Sequence, residues 1–195
     1  MNLLFIGDVV GQSGCDFLES RMYKLKREYD IDVTVVNGEN SAQGNGITPQ
    51  SYRQLLNMGA DVVTTGNHSF RRREAEELYD TNEQLLRPAN YPEGVMGHGV
   101  TYIDMCPYKI AVLNLMGTMY MEAVENPFNY VDKLLESIDT PNIIVDFHAE
   151  ATSEKKAMGF YLQKRCTAVL GTHTHVQTAD EMILGEIGRA SCRER

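Results

Sequence analysis

The chain is short of cysteine, of basic charge and of long apolar runs, and each shortage removes a class of function. Its four cysteines, Cys15, Cys106, Cys166 and Cys192, include no Cys-x-x-Cys pair and no regular ladder. That spacing excludes a disulfide framework and fits free thiols in a reducing cytosol. Lys and Arg number 18 against 27 Asp and Glu, a net charge of −9, so a broad basic face for nucleic acid is not available. A small anionic substrate is still compatible, because bound cations invert the local field. No stretch approaches the roughly 18 apolar residues of a membrane span. Met1 to Ile6 is too brief for a signal peptide and runs directly toward Asp8. These absences predict a soluble, cytoplasmic protein with no membrane partner. The loop 41–46 holds two glycines, too few and wrongly spaced for a dinucleotide fingerprint.

What remains is an ordinary globular composition, 43% hydrophobic and 23% charged over 195 residues, enough for one domain with a proper core. We expect that domain to occupy residues 1–185. Residues 186–195, EIGRASCRER, break the composition with three Arg and a Cys and no apolar periodicity. The string is similar to the translation of a sequencing-adapter oligonucleotide. It is expected to be a non-native tail, with the domain C-terminally incomplete; a genuine basic tail is the alternative.

Apolar runs and helical spacings alternate along the chain. Leu3 to Ile6, Val33 to Val36, Val62 to Thr65, Asn142 to Phe147 and Ala168 to Leu170 read as strands. Val100–Met105 and Ile110–Leu115 read as a hairpin. Helices are expected over 15–29, after the Thr48-Pro49 and Asn126-Pro127 caps, over 72–80, and from a cap at Ser153 to about Arg165. The alternation predicts an α/β fold with a largely parallel sheet. In such sheets ligands bind beyond the carboxyl ends of the strands.

Five of those strand ends carry polar residues: Asp8, Glu39 with Asn40, Asn67 with His68, His148, and His173 with His175. The last two imidazoles stand at alternate positions and are expected to point to opposite sides, serving two neighbouring ions rather than chelating one. Carboxylate, amide oxygen and imidazole without thiolate suit Mn, Fe or Zn better than Ca²⁺. Seven candidate ligands, with His68 left over, exceed the needs of one catalytic ion and match a two-metal site bridged by Glu39.

GDVVG at 7–11, GEN at 38–40, GNH at 66–68, DFHAE at 146–150 and GTHTH at 171–175 together resemble the ordered motifs of calcineurin-like metallophosphoesterases. More narrowly they resemble the YmdB-like branch, over residues 1 to about 184. Asp8-Val9-Val10 stands where the broad superfamily has Asp-x-His, and Glu39 where Asp is commoner; the narrower branch shares both changes. The resemblance implies a four-layer α/β/β/α sandwich and a phosphodiesterase using two divalent or mixed-valence transition metal ions. Asp8, Glu39, Asn40 and His175 would hold one ion, and Glu39, Asn67, His148 and His173 the other. A hydroxide between the ions would attack small phosphodiesters such as 2′,3′-cyclic nucleotides, RNA-derived nucleotides among them. His68 would protonate the leaving group, and the full-length protein would be a homo-oligomer. A monoesterase or nuclease on the same scaffold, or a metal-dependent regulatory protein with little turnover, is the alternative. Of the rest, one of Arg71, Arg72 and Arg73 is either a phosphate grip or part of a solvated helix start. His98 reads as a loop residue. Asp146 either orients a ligand or faces outward.

Overall fold

Runs of β-branched residues without alternation set the architecture. Val33-Thr34-Val35-Val36 and Val62-Val63 are buried at every position, the pattern of strands covered on both faces. The computed structural model describes residues 1–185 and 192–194. Four parallel strands, β1 (Leu3–Ile6), β2 (Val33–Asn37), β3 (Val62–Thr64) and β4 (Leu85–Leu86), form a first sheet in that order. A second sheet has the order β5 (Val100–Asp104), β6 (Lys109–Met116), β7 (Ile143–His148), β8 (Ala168–Thr172) and β9 (Cys192–Glu194). Its β5–β6 pair is the expected antiparallel hairpin, and the other pairs are parallel. The largely parallel sheet expected from the alternation is divided in two, as the family resemblance implies and the strand pattern alone does not. A non-alternating apolar run looks the same in either.

Period-two alternation divides the burial among three cores. Val33, Val35, Val62 and Leu86 meet Ile110, Val112, Ile144 and Leu170, so the sheets pack face to face. The intervening residues face helices. Val36 and Val63 pack with Leu18 and Met22 of α1 (Gly11–Glu28), Tyr52 and Leu55 of α2 (Pro49–Asn57), and Tyr79 of α3 (Glu76–Thr81). Leu113, Val145, Phe147 and Val169 pack with Val131 of α4 (Pro127–Glu136) and Met158 of α5 (Thr152–Tyr161).

The proline caps hold: Thr48 closes a capping box with Ser51, and the Asn126 side chain accepts from the Phe128 and Asn129 amides. Ser153 is not a cap. Ala151 stands at that position with no side-chain hydrogen bond, and α5 stops at Tyr161 rather than Arg165. The helix expected at 72–80 divides into a 3-10 turn, Arg73–Ala75, and α3. No helix among the described residues is long and apolar enough to cross a membrane. The stretch expected to be a non-native tail, 186–195, lies outside the described residues except for the backbone of β9.

Candidate metal centre

The strand-end residues converge from both sheets onto one buried cluster, and Glu39 is its hub. Glu39 follows β2 and is fully buried. Its Oε2 accepts from the His68 amide at 3.1 Å and lies 3.3 Å from His148 Nε2. Its Oε1 lies 3.1 Å from His68 Nδ1 and accepts from Asn40 Nδ2 at 3.0 Å. Burial pushes this carboxyl upward. The neighbouring His148 and His68 outweigh burial by charge and hydrogen bonds and hold it far below the usual carboxylate range. Glu39 is thus ionised at the centre of the site.

The second sheet supplies the imidazoles. His148, the last residue of β7, is fully buried. Desolvation disfavours its charged form, but Glu39 prevails and raises its pKa. Its Nε2 is 3.0 Å from Asn67 Oδ1 and 3.1 Å from His173 Nδ1. His173 is turned by contacts on its other atoms. Its amide donates to Asp8 Oδ2 at 2.9 Å, and its Nε2 lies 3.0 Å from Glu150 Oε2. Burial and the neighbouring His148 lower its pKa. His175 Nε2 lies 3.3 Å from Asp8 Oδ1 and 3.4 Å from Asn40 Nδ2. His173 thus faces His148 and His175 faces Asp8. An extended backbone would have put both rings on one face; the left-handed φ of 96° at His173 and 53° at His175 turns them apart.

The donor set fits cations. Glu39, His148 and His173 can each place one ligating atom within 4.8 Å of the others. Nε2 of His148 faces a carboxylate oxygen, an amide oxygen and an imidazole nitrogen, a concentration of acceptors that a positive charge satisfies. Asp8 Oδ1 is buried and accepts no hydrogen bond; with only the His175 ring nitrogen recorded near it, at 3.3 Å, it is a second acceptor suited to a cation. Space is reserved as well. A Cβ on Gly66 would lie 2.2 Å from His148 Cδ2 and 2.5 Å from Glu39 Oε2, so only glycine lets this backbone pass beneath the cluster. Asn40 is a partial exception: its Oδ1 faces His68 Nδ1 at 3.0 Å, and its NH₂ faces Glu39 and His175. Ligation through its oxygen therefore requires the amide to turn.

His68 lies against Glu39 and Asn40 rather than apart from the ligands. One cleft opens at the cluster, and another lies between the start of α1 and the 41–51 segment. The first, of about 490 Å³, is lined by Glu150, Thr152, His173, His175 and Thr178. The second, of about 660 Å³, is lined by Gln12, Ser13, Ser41, Gln43 and Gln50. The arginines that follow His68 do not reach the centre. Arg71 pairs with Glu122 at 3.2 Å, and Arg72 donates to the carbonyls of Gln43 and Asn45. His98 lies outside the cluster, beside the Glu83 carbonyl.

Of the support beneath the site, sequence reasoning offered only Asp146, as either a ligand-orienting or an outward-facing residue. Asp146 is not outward-facing: it is fully buried, and burial pushes its carboxyl up to about 6 against the pull of His148, Thr64, Thr172 and Asn37. Alternation along β7 places it on the same face as His148, which was the available signal. Thr172 and Glu150 lay inside the GTHTH and DFHAE motifs without an assigned role, and nothing in the sequence marked Asn37 or Thr64.

Comparisons with known proteins place the whole fold among known relatives. A profile of the family described as YmdB-like protein matches residues 4–190. The chain is 47% identical over 186 residues to the 2′,3′-cyclic-nucleotide 2′-phosphodiesterase of Bacillus subtilis, covering 94% of this chain and 70% of that protein. Among solved structures, a hypothetical protein from Thermus thermophilus superposes with a TM-score of 0.93 at 37% identity, covering all of this chain and 75% of its own. A structure described as a novel phosphatase from Mycoplasma pneumoniae gives 0.92 at 31% identity, covering 98% of this chain and 70% of its own.

Proposed function

The chain belongs to the YmdB-like family, and on that premise we propose that it is a metal-dependent phosphodiesterase acting on small phosphodiesters, 2′,3′-cyclic nucleotides included. The observation that carries this reading is the buried, ionised Glu39, grouped with His148 and His173 of the other sheet so that each offers a ligating atom within 4.8 Å of the others. The activity named for the Bacillus subtilis relative supports it. We assign Asp8, Glu39, Asn40 and His175 to one cation, and Glu39, Asn67, His148 and His173 to another. The donor chemistry favours Mn or Fe, with Zn also compatible. Such cations, when bound, activate water and draw in the phosphoryl oxygens of the substrate.

The chain's own residues do the rest. Glu39 keeps a negative charge where two cations need a shared ligand. Glu150 engages Nε2 of His173 and leaves Nδ1 turned toward His148. His68, whose Nδ1 is held by Glu39, is positioned to deliver a proton from Nε2 to the leaving alkoxide. The same reading takes the fold as a four-layer α/β/β/α sandwich, supported by the two helix-covered sheets. It also takes the setting as cytoplasmic, the substrates as including RNA-derived nucleotides, and the full-length protein as a homo-oligomer.

The test is hydrolysis of bis-(p-nitrophenyl) phosphate by the Mn²⁺-loaded protein beside p-nitrophenyl phosphate. Preference for the diester is expected. Preference for the monoester would favour the second reading, a phosphatase, which the description of the Mycoplasma pneumoniae structure supports.

A further inference from the structure

Beneath the cluster, one carboxylate joins the two sheets. Asp146 of β7 is fully buried. Its Oδ2 accepts from Asn37 Nδ2 at 3.0 Å and from Thr64 Oγ1 at 2.5 Å, at the ends of β2 and β3. Its Oδ1 accepts from Thr172 Oγ1, the last residue of β8, at 2.7 Å. The Thr172 hydroxyl has a single proton. With that proton given to Asp146, its oxygen can only accept on the remaining side, where His148 Nδ1 lies at 2.9 Å. Nδ1 is therefore the N–H of the ring. In the neutral ring that a cation requires, the lone pair is left on Nε2, the atom that faces Glu39, Asn67 and His173.

We propose that Asp146 is a positioning residue, which acts through the Thr172 hydroxyl to hold His148 in the orientation and tautomer that present Nε2 to a cation. The inference rests on the metal-centre reading of the same cluster. It adds a residue pair that touches neither cation nor substrate. Carboxylates and hydroxyls in such outer positions fix ligand geometry and raise ligand basicity, and their loss costs on the order of 10–100-fold in metal affinity. The Asp146 links to Asn37 and Thr64 give the arrangement a second consequence. The first sheet supplies Asp8, Glu39, Asn40 and Asn67, and the second supplies the imidazoles. The residue that orients His148 is thus also the polar tie between the two halves.

The experiment titrates Mn²⁺ alone, with no substrate, into metal-free protein and four variants. Thr172→Val keeps shape and removes the hydroxyl; it is expected to weaken Mn²⁺ binding on the order of 10–100-fold. Thr172→Ser restores the hydroxyl and is expected to bind as the parent does. Asp146→Asn is expected to lose about as much as Thr172→Val. The double variant should lose no more than either single one, because the two act in series. Melting of the metal-free proteins is followed in parallel. A purely structural role would lower the melting temperature of Thr172→Val and leave its Mn²⁺ affinity at the parental value. That result, or an equal loss in Thr172→Ser, overturns the proposal. If Asp146→Asn does not fold, the Thr172 pair alone decides. Because the readout is metal binding, a protein that binds Mn²⁺ normally yet hydrolyses nothing refutes the phosphodiesterase reading and leaves this inference standing.

Discussion

Glu39 carries a negative charge in a fully buried position, an arrangement that costs several kcal/mol unless cations surround it. In the metal-free protein His148 and His68 are the stabilising partners; under the proposed function, metal ions would take over that role. Glu39→Ala is accordingly expected to lose both ions, and His175→Ala, which removes one corner beside Asp8, mainly one. Metal per chain, counted in each purified variant, checks this; two full equivalents in Glu39→Ala would end the shared-ligand assignment. His68 makes a different prediction. Its ring contacts Glu39 and Asn40 and is absent from the assigned ligand sets. His68→Ala should therefore keep its metals and lose rate according to the leaving group. General acid catalysis is worth on the order of 10²–10⁴-fold and matters most for a strongly basic leaving oxygen. The loss should be much larger on 2′,3′-cyclic AMP than on the p-nitrophenyl diester. Equal losses on both would make His68 a residue that stabilises charge rather than one that donates a proton.

At the level of elements, the site depends on how strand ends meet. Gly66 follows β3 where the His148 ring and the Glu39 carboxylate occupy the space of a side chain. Gly66→Ala forces one of them aside. An overpacked core typically costs roughly 1–3 kcal/mol, and here the displaced atoms are assigned ligands. The variant should fold with reduced stability and bind Mn²⁺ at least about tenfold more weakly, on the scale of a disturbed ligand shell. Parental Mn²⁺ affinity in a folded Gly66→Ala would contradict the packing account. The strand ends themselves were legible in the sequence, because an apolar run closed by Gly, Asn or His announces both the strand and the loop that follows. The hairpin and the two proline-capped helices were legible for similar local reasons. The division into two sheets was not legible in the strand pattern, since Val112 and Val35 look alike whichever sheet they join. β4 is two residues long and carries no periodicity to read. The Asp146 network was hidden because its partners lie 26, 82 and 109 residues away, and no local pattern encodes such a meeting.

Across the whole molecule, the face-to-face packing of the sheets holds the two halves of the centre together. Ile144 sits in the core between them and is almost completely buried. Ile144→Ala is expected to cost roughly 2–5 kcal/mol. Unfolding in urea should remain one transition, because both sheets share that core; two separated transitions would show that they fold independently. With a net charge of −9, the surface as a whole does not attract anionic substrates. Productive binding of a phosphodiester therefore depends on positive charge gathered at the centre. The most direct measurement is opening of 2′,3′-cyclic AMP by the protein loaded with two equivalents of Mn²⁺, compared with the same protein after chelation. The account predicts steady turnover to a nucleoside monophosphate that disappears with the metal and returns when Mn²⁺ is restored. A folded protein holding both equivalents that leaves the cyclic nucleotide intact would contradict it.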